Sequence, residues 1–182
     1  MKYKPTDKGY HQTLRSGLRI YPTQDRAINQ ALVNLMQKIP AHLTLVTDVT
    51  GQIVSARGGQ EGMDLVALGS LVAGDLAASQ EIARLTGQYQ EYQMVLREGQ
   101  NIHTFIIEAG HHLALLVQIS KDVPLGWGRM LIQKAAHQLA EIINEVPEDA
   151  SHNQIIAEEE ELLGQKGLSD LFNDALDDLW ME

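Results

Sequence analysis

Seven histidines are the first residues of this 182-residue chain that invite chemistry, and metal binding is the chemistry they would do. His111 and His112 are adjacent at the expected start of a strand, so their side chains point to opposite faces. They would share a metal only with help from elsewhere, such as His103 or Glu108. No HExxH or comparable spacing is present, and solvent-facing turn histidines are the competing reading. Ser55, Ser70, Ser79 and Ser120 have no nucleophile-elbow pattern around them. Gly58, Gly59 and Gly62 make a flexible loop without a lysine, and no Gly-Lys-Ser/Thr follows, which argues against a phosphate loop. Asp177 and Asp178 are paired carboxylates with no evident pocket. The chain has no cysteine, so disulfides, thiolate metal sites and cysteine catalysis are excluded. These residue types offer no cofactor site, no metal site and no catalytic constellation. A protein without enzymatic activity of its own is expected, with a small enzyme whose site is hidden from the sequence as the rival.

A different signal lies in "LVAGDLAASQ", residues 71–80. Residues 65–85 read as one helix at about 100° per residue. Leu65, Leu68, Val72, Leu76 and Ala83 fall on one side and can lie on a sheet. Ala67, Ser70, Ala73, Gly74, Ala77 and Ala78 form a broad bare arc elsewhere, with Leu71 and Leu85 at its edge. Glycine inside a helix costs about 0.5–1 kcal/mol relative to alanine. Close approach of another backbone to Gly74 would offset that cost. The bare arc is then either a second buried face of the same domain or a surface for another molecule. The second reading is preferred, because the opposite stripe already supplies a core contact.

Charge is unevenly placed. Residues 145–182 hold 12 acidic residues and 1 basic, and the rest of the chain is nearly neutral. Phosphates would meet no basic stripe and an acidic tail, so nucleic acid is not an expected partner. No signal peptide and no run of about 18 uninterrupted apolar residues is evident. A cytoplasmic location without membrane insertion is therefore expected.

The elements that position these residues are legible from periodicity. Residues 1–20 read as an extended arm. A helix follows over residues 21–40, with Thr23 as N-cap, Asp25 in the first turn and Pro40 as the stop. Its apolar positions are Ile28, Leu32, Leu35, Met36 and Ile39. "HLTLVTDVTGQIVSARGG" reads as a hairpin turning at "DVTG". A long helix from about Asp64 to Leu85 ends near Gly87. Three strands follow, in "QYQEYQMVLREG", "NIHTFIIEAG" and "HHLALLVQIS". A last helix begins near Pro124 and ends before Pro147. The expected fold is an α/β sandwich: helix, two strands, helix, three strands, helix, on a mainly antiparallel five-stranded sheet. Residues 21–146 form the domain, 147–167 an acidic linker and 168–182 a C-terminal amphipathic helix.

In that last segment, Leu168, Leu171, Phe172, Ala175, Leu176, Leu179 and Trp180 share one helical face. Asp170, Asp174, Asp177 and Asp178 take the other side, and Ser169 is a reasonable N-cap. At about 13 residues such a helix is marginal alone. It either docks on its own domain or anchors in a hydrophobic groove of a partner.

"LVAGDLAASQEIARLTG", "REGQNIHTFIIEAGHHLALLVQIS" and "PLGWGRMLIQKAAHQLAEII" resemble the Roadblock/dynein light chain family, most closely its bacterial MglB-like branch. The resemblance covers roughly residues 18–146 and is strongest over 64–143. It implies a homodimer in which the third strand pairs with its symmetry mate; here that strand spans Tyr89, Gln90, Glu91, Tyr92, Gln93, Met94, Val95 and Leu96. The second helices of the two subunits would lie side by side as a platform. MglB-like dimers present this platform to a Ras-like small GTPase and stimulate hydrolysis without an arginine finger. The matching positions here are Ala73, Ala77 and Glu81, and Ser70 and Gly74 on the same bare arc are expected to bind the GTPase with them. Glu81 departs from the small-residue pattern. The resemblance also implies that the C-terminal helix, through Leu168, Leu171, Phe172, Leu176, Leu179 and Trp180, engages the GTPase. The expected function is a homodimeric GTPase regulator, with a scaffold dimer that leaves nucleotide turnover unchanged as the alternative.

Overall fold

Strand β3, Ala41–Asp48, has a run of six buried residues from Leu43 to Asp48. A strand buried on both faces belongs at the centre of a covered sheet. The computed structural model, which describes residues 12–87 and 93–145, places it there. β4 (Ile53–Gly58) pairs with one side of β3, and β7 (Leu113–Ser120) with the other. β6 (Ile102–Ala109) and β5 (Met94–Glu98) complete an antiparallel sheet of order β4-β3-β7-β6-β5. Among the described residues the third strand spans Met94–Glu98, leaving Gln93 outside it and running two residues past the expected Leu96. Residues Tyr89 to Tyr92 lie outside the described residues.

The register sorts the core into two halves. Leu45 stands opposite Leu116, Leu116 opposite Ile106, and Ile106 opposite Val95. These side chains share one face and pack beneath helix α2, Leu65–Leu85. Val46, Leu115, Ile107 and Phe105 occupy the other face, with helices α1 (Pro22–Lys38) and α3 (Leu125–Asn144). Among the described residues two helices cover one face and a single helix the other.

α1 starts earlier than the expected Thr23 cap. Its N-cap is Tyr21, Pro22 takes the first helical position, and Gln24 Oε1 accepts from the Tyr21 backbone N–H at 3.1 Å. Proline needs no partner there, because its missing N–H would be an orphan donor anyway. Gln24 Nε2 also donates to the carbonyls of Ile142 at 2.9 Å and Glu145 at 3.0 Å. One side chain thus fixes the start of α1 and satisfies acceptors at the end of α3. Residues 12–20, expected as an arm, form a small ribbon of β1 (Gln12–Thr13) and β2 (Arg19–Ile20). Leu14 and Ile20 are buried in the core beside α1.

The β3–β4 turn carries the placement of α2. Asp48 is fully buried; its Oδ1 accepts from the N–H groups of Thr50 at 3.0 Å and Gln52 at 2.8 Å, and from the Thr50 hydroxyl at 2.7 Å. Its Oδ2 accepts from Ser16 N–H at 3.3 Å, tying the ribbon to the turn. Gly51 then adopts a positive φ of 85° and meets α2 backbone to backbone. A Cβ on Gly69 would lie 2.5 Å from the Gly51 carbonyl oxygen, and a Cβ on Gly51 would lie 2.7 Å from Ser70 Cα. The glycine that permits close backbone approach within the chain is Gly69; a Cβ on Gly74 would meet nothing within 4 Å. α2 itself begins at Asp64, whose Oδ1 accepts from Val66 N–H at 3.1 Å and Ala67 N–H at 3.0 Å.

Burial alone would raise the Asp48 pKa, but the hydrogen bonds from Thr50, Ser16 and Gln52 outweigh it and hold the carboxyl below its ordinary 3.8. The folded state thus favours the carboxylate. Its contribution is complete above about pH 4 and is lost as pH falls through the lowered folded value. Asp48→Ala is expected to cost at least about 1–3 kcal/mol, because buried donors lose their acceptor. Asp48→Asn should flatten the loss of stability on acidification below about pH 4; urea unfolding across pH 2–6 checks both. Gly69→Ala should destabilise by about 1–3 kcal/mol through overpacking against Gly51, read by the same unfolding measurement.

Candidate interaction surface

α2 is seated on the sheet by three buried residues, Gly69, Val72 and Leu76, with Leu65 and Leu68 packed alongside. The rest of its circumference is open. Val66 is 70% exposed, Leu71 69%, Ile82 63% and Leu85 71%. By length and composition alone this helix is apolar enough to cross a membrane, yet little of it is buried within the chain. Most of the bare arc is solvent-facing in the single chain: Ala67, Ser70, Gly74, Ala77 and Ala78 are exposed and Ala73 is half-buried. Among the described residues that arc is not a second buried face of the same domain.

At about 100° per residue the open side divides into two strips. Ala67, Leu71, Gly74, Ala78, Ile82 and Leu85 make an apolar strip. Ser70, Ala73, Ala77 and Glu81 make a narrower, small-residue strip beside it. The structure thus brings together the helix positions singled out from the sequence. Glu81 sits at the end of its strip and pairs with Arg84 at 2.6 Å. The Arg84 hydrogen bond holds Glu81 below its ordinary pKa, and Glu81 holds Arg84 above its own. Both side chains are mostly exposed, so the pair orients Glu81 more than it stabilises the fold.

The small-residue strip borders a cleft of about 100 Å³ between α2 and the β6–β7 turn. Ala73, Leu76, Ala77 and Gln80 form one wall; Glu108, Gly110, His111 and Val49 contribute to the other. Glu108 is only 7% exposed, and its Oε1 accepts from Gln80 Nε2 at 2.7 Å. His103 and Glu108 differ in parity along β6 and so project from opposite faces of the sheet. The residues grouped as possible metal partners therefore do not converge, although His111 reaches the same cleft as Glu108. Glu108 and Gln80 as partners were missed from the sequence. The signal for Glu108 was a carboxylate between the apolar Ile106–Ile107 pair and Ala109 in a strand otherwise suited to the core.

β5 ends the sheet order, so among the described residues one of its edges has no strand beside it. On its paired side, Glu108 N–H donates to Gln93 O at 3.2 Å and Val95 lies opposite Ile106. Met94 packs toward the α1–α3 side and Val95 toward α2. Arg97 pairs with Asp75, tying this edge strand to α2. Tyr89, Gln90, Glu91 and Tyr92, and the tail positions Leu168, Leu171, Phe172, Leu176, Leu179 and Trp180, lie outside the described residues.

No family model and no curated relative matches the sequence. Solved structures do. The gliding protein MglB from Thermus thermophilus superposes with a TM-score of 0.63 at 25% identity, over 70% of this chain and 96% of that one. Myxococcus xanthus MglB gives 0.61 at 28% identity, over 65% and 96% of the two chains. A Roadblock/LC7 domain from Streptomyces avermitilis gives 0.50 at 15% identity, over 63% and 89%, a likeness of fold. With three helices among the described residues, split two and one across a five-stranded antiparallel sheet, and with these structural neighbours, the chain has the Roadblock-like fold of the MglB type.

Proposed function

We propose that this chain is a homodimeric regulator of a Ras-like small GTPase. The observation that carries the reading is the open side of α2, where large apolar and very small residues face solvent in the single chain. Soluble monomers rarely leave such a contiguous apolar patch uncovered. α2 carries Asp75, Glu81 and Arg84 and is held to the sheet by Val72 and Leu76, so protein suits its open side better than lipid. The likeness to MglB structures supports the same assignment. In this reading the apolar strip through Leu71, Gly74 and Ile82 meets the same strip of a second subunit. The free edge of β5, with Gln93, Met94 and Val95 and the preceding Tyr89 to Tyr92, pairs with its symmetry mate. Ser70, Ala73, Ala77 and Glu81 then flank the joined helices and receive the GTPase. Short side chains there let a partner's backbone come close. The tail residues Leu168, Leu171, Phe172, Leu176, Leu179 and Trp180 would add a second, apolar contact to the GTPase.

Leu71→Glu combined with Ile82→Glu should leave a folded chain, because both side chains are exposed within it. Sedimentation should show the dimer weakened at least about tenfold, or 1.4 kcal/mol. Gly74→Ala gives an independent handle. Helix propensity favours alanine by about 0.5–1 kcal/mol, so a weaker dimer from this change would show that the missing side chain serves the mate. An unchanged dimer in both the double variant and Gly74→Ala would place the interface elsewhere.

Ala77→Arg should give a folded dimer that fails to bind its GTPase. The deciding assay is GTP turnover by Ras-like GTPases of the source organism, with and without this protein and its Ala77→Arg variant. Faster turnover with the wild type alone is expected. Binding without any change in turnover would favour the scaffold reading instead.

A further inference from the structure

We propose that the cleft beside α2 is a subsite for one guanidinium group, an arginine side chain presented by the GTPase that seats on Ser70, Ala73 and Ala77. The choice of presenting partner rests on the function proposed above; the cation subsite itself rests on the cleft. Glu108 is more than nine-tenths buried in its wall. Its Oε1 is held by Gln80 Nε2 at 2.7 Å, a neutral donor, and its Oε2 has no hydrogen-bond partner among the described residues. The ion pairs among those residues are Arg84–Glu81 and Arg97–Asp75, so none of them supplies Glu108 with a cation. A mostly buried carboxyl group with one oxygen left without a protein donor favours a cation that can reach it. Here it stands at the side of a space of about 100 Å³, several times what one water needs.

The walls explain why the space exists. Ala73, Ala77, Gly110 and Ala114 all lack side chains long enough to fill it. Ala73 and Ala77 are one helical turn apart, so a larger residue at either position would close the mouth. Leu76, Leu113 and Val49 supply apolar walls that suit the flat faces of a guanidinium. Gln80 fixes the carboxyl group in place, and the open oxygen leaves room for a forked contact that an ammonium ion makes less well. The bare arc thus has a second consequence: besides admitting a backbone, it keeps a mostly buried carboxyl group reachable.

The test needs no GTPase. The full chain, with its alanine methyl groups isotopically labelled, is titrated with N-acetyl-arginine methylamide, its lysine analogue and its neutral citrulline analogue at constant ionic strength. The arginine compound should shift the methyl signals of Ala73, Ala77 and Ala114 saturably in the millimolar range. The citrulline analogue should leave them unmoved, and lysine should bind more weakly. Glu108→Gln should lower arginine affinity at least about tenfold while the thermal midpoint shows the fold intact. Should that variant fold poorly, Ala77→Leu, which fills the mouth from an exposed position, should abolish the shifts instead. No saturable shift, an equal response to citrulline, or full binding in a folded Glu108→Gln chain would overturn the subsite. A chain that binds arginine yet binds and acts on no GTPase would overturn the function proposed above, and the presenting partner with it, while the subsite stands. A Glu108→Gln chain that loses arginine but binds the GTPase as the wild type does would overturn only the presenting partner.

Discussion

One backbone contact sets the geometry of the whole α2 face. Gly51 in the β3–β4 turn touches Gly69 in α2 with no side chain between them, and Asp48 holds that turn in shape. From this contact Val72 and Leu76 drop into the sheet one and two turns later. A helix placed so close buries a narrow stripe and leaves the rest of its circumference outside. On the opposite face, α1 and α3 share the work of covering the sheet, and Gln24 links the start of one to the end of the other. The asymmetry between the two faces is therefore built in: one is closed within the chain, and the other ends in an open helix.

That arrangement connects local chemistry to function. Volume that α2 would need for a self-sufficient second layer is missing at Ala67, Gly74 and Ala78, and the large residues between them point outward. The same economy of side chains at Ala73 and Ala77 opens the cleft onto Glu108. The surface thus combines apolar area, room for close backbone approach and one mostly buried carboxyl group within two adjacent strips. Area and shape would supply affinity, whereas a desolvated charge pair would supply discrimination between partners.

Much of the fold was legible because its elements bury in regular patterns. The stripe of Leu65, Leu68, Val72 and Leu76 and the alternation in "NIHTFIIEAG" predict what the structure contains. Pairing between distant strands was not legible from period: nothing local to Leu45 says that Leu116 is its neighbour. The ribbon of residues 12–20 has strands of two residues, too short for any period, so the burial of Leu14 and Ile20 went unread. Tyr21 caps α1 because Gln24 reaches back, a side-chain choice invisible beside the more typical Thr23. Gly69 and Gly74 look alike in sequence, five residues apart in one helix. Only the turn at Gly51 separates the glycine that serves the chain from the one that faces out. For the surface, the bare arc was visible, but the carboxyl group behind it was not, because its significance depends on β6 lying under α2.

On the function proposed above, a second copy of this chain covers the open side of α2 in solution. Paramagnetic relaxation of methyl signals by a soluble gadolinium chelate, recorded on the full chain at concentrations where it self-associates, measures that cover residue by residue. Leu71, Ile82 and Leu85, each more than 60% exposed in the single chain, should be shielded from the chelate, while Ala77 on the neighbouring strip stays accessible. Leu71, Ile82 and Leu85 relaxing as fast as fully exposed methyl groups would contradict the account.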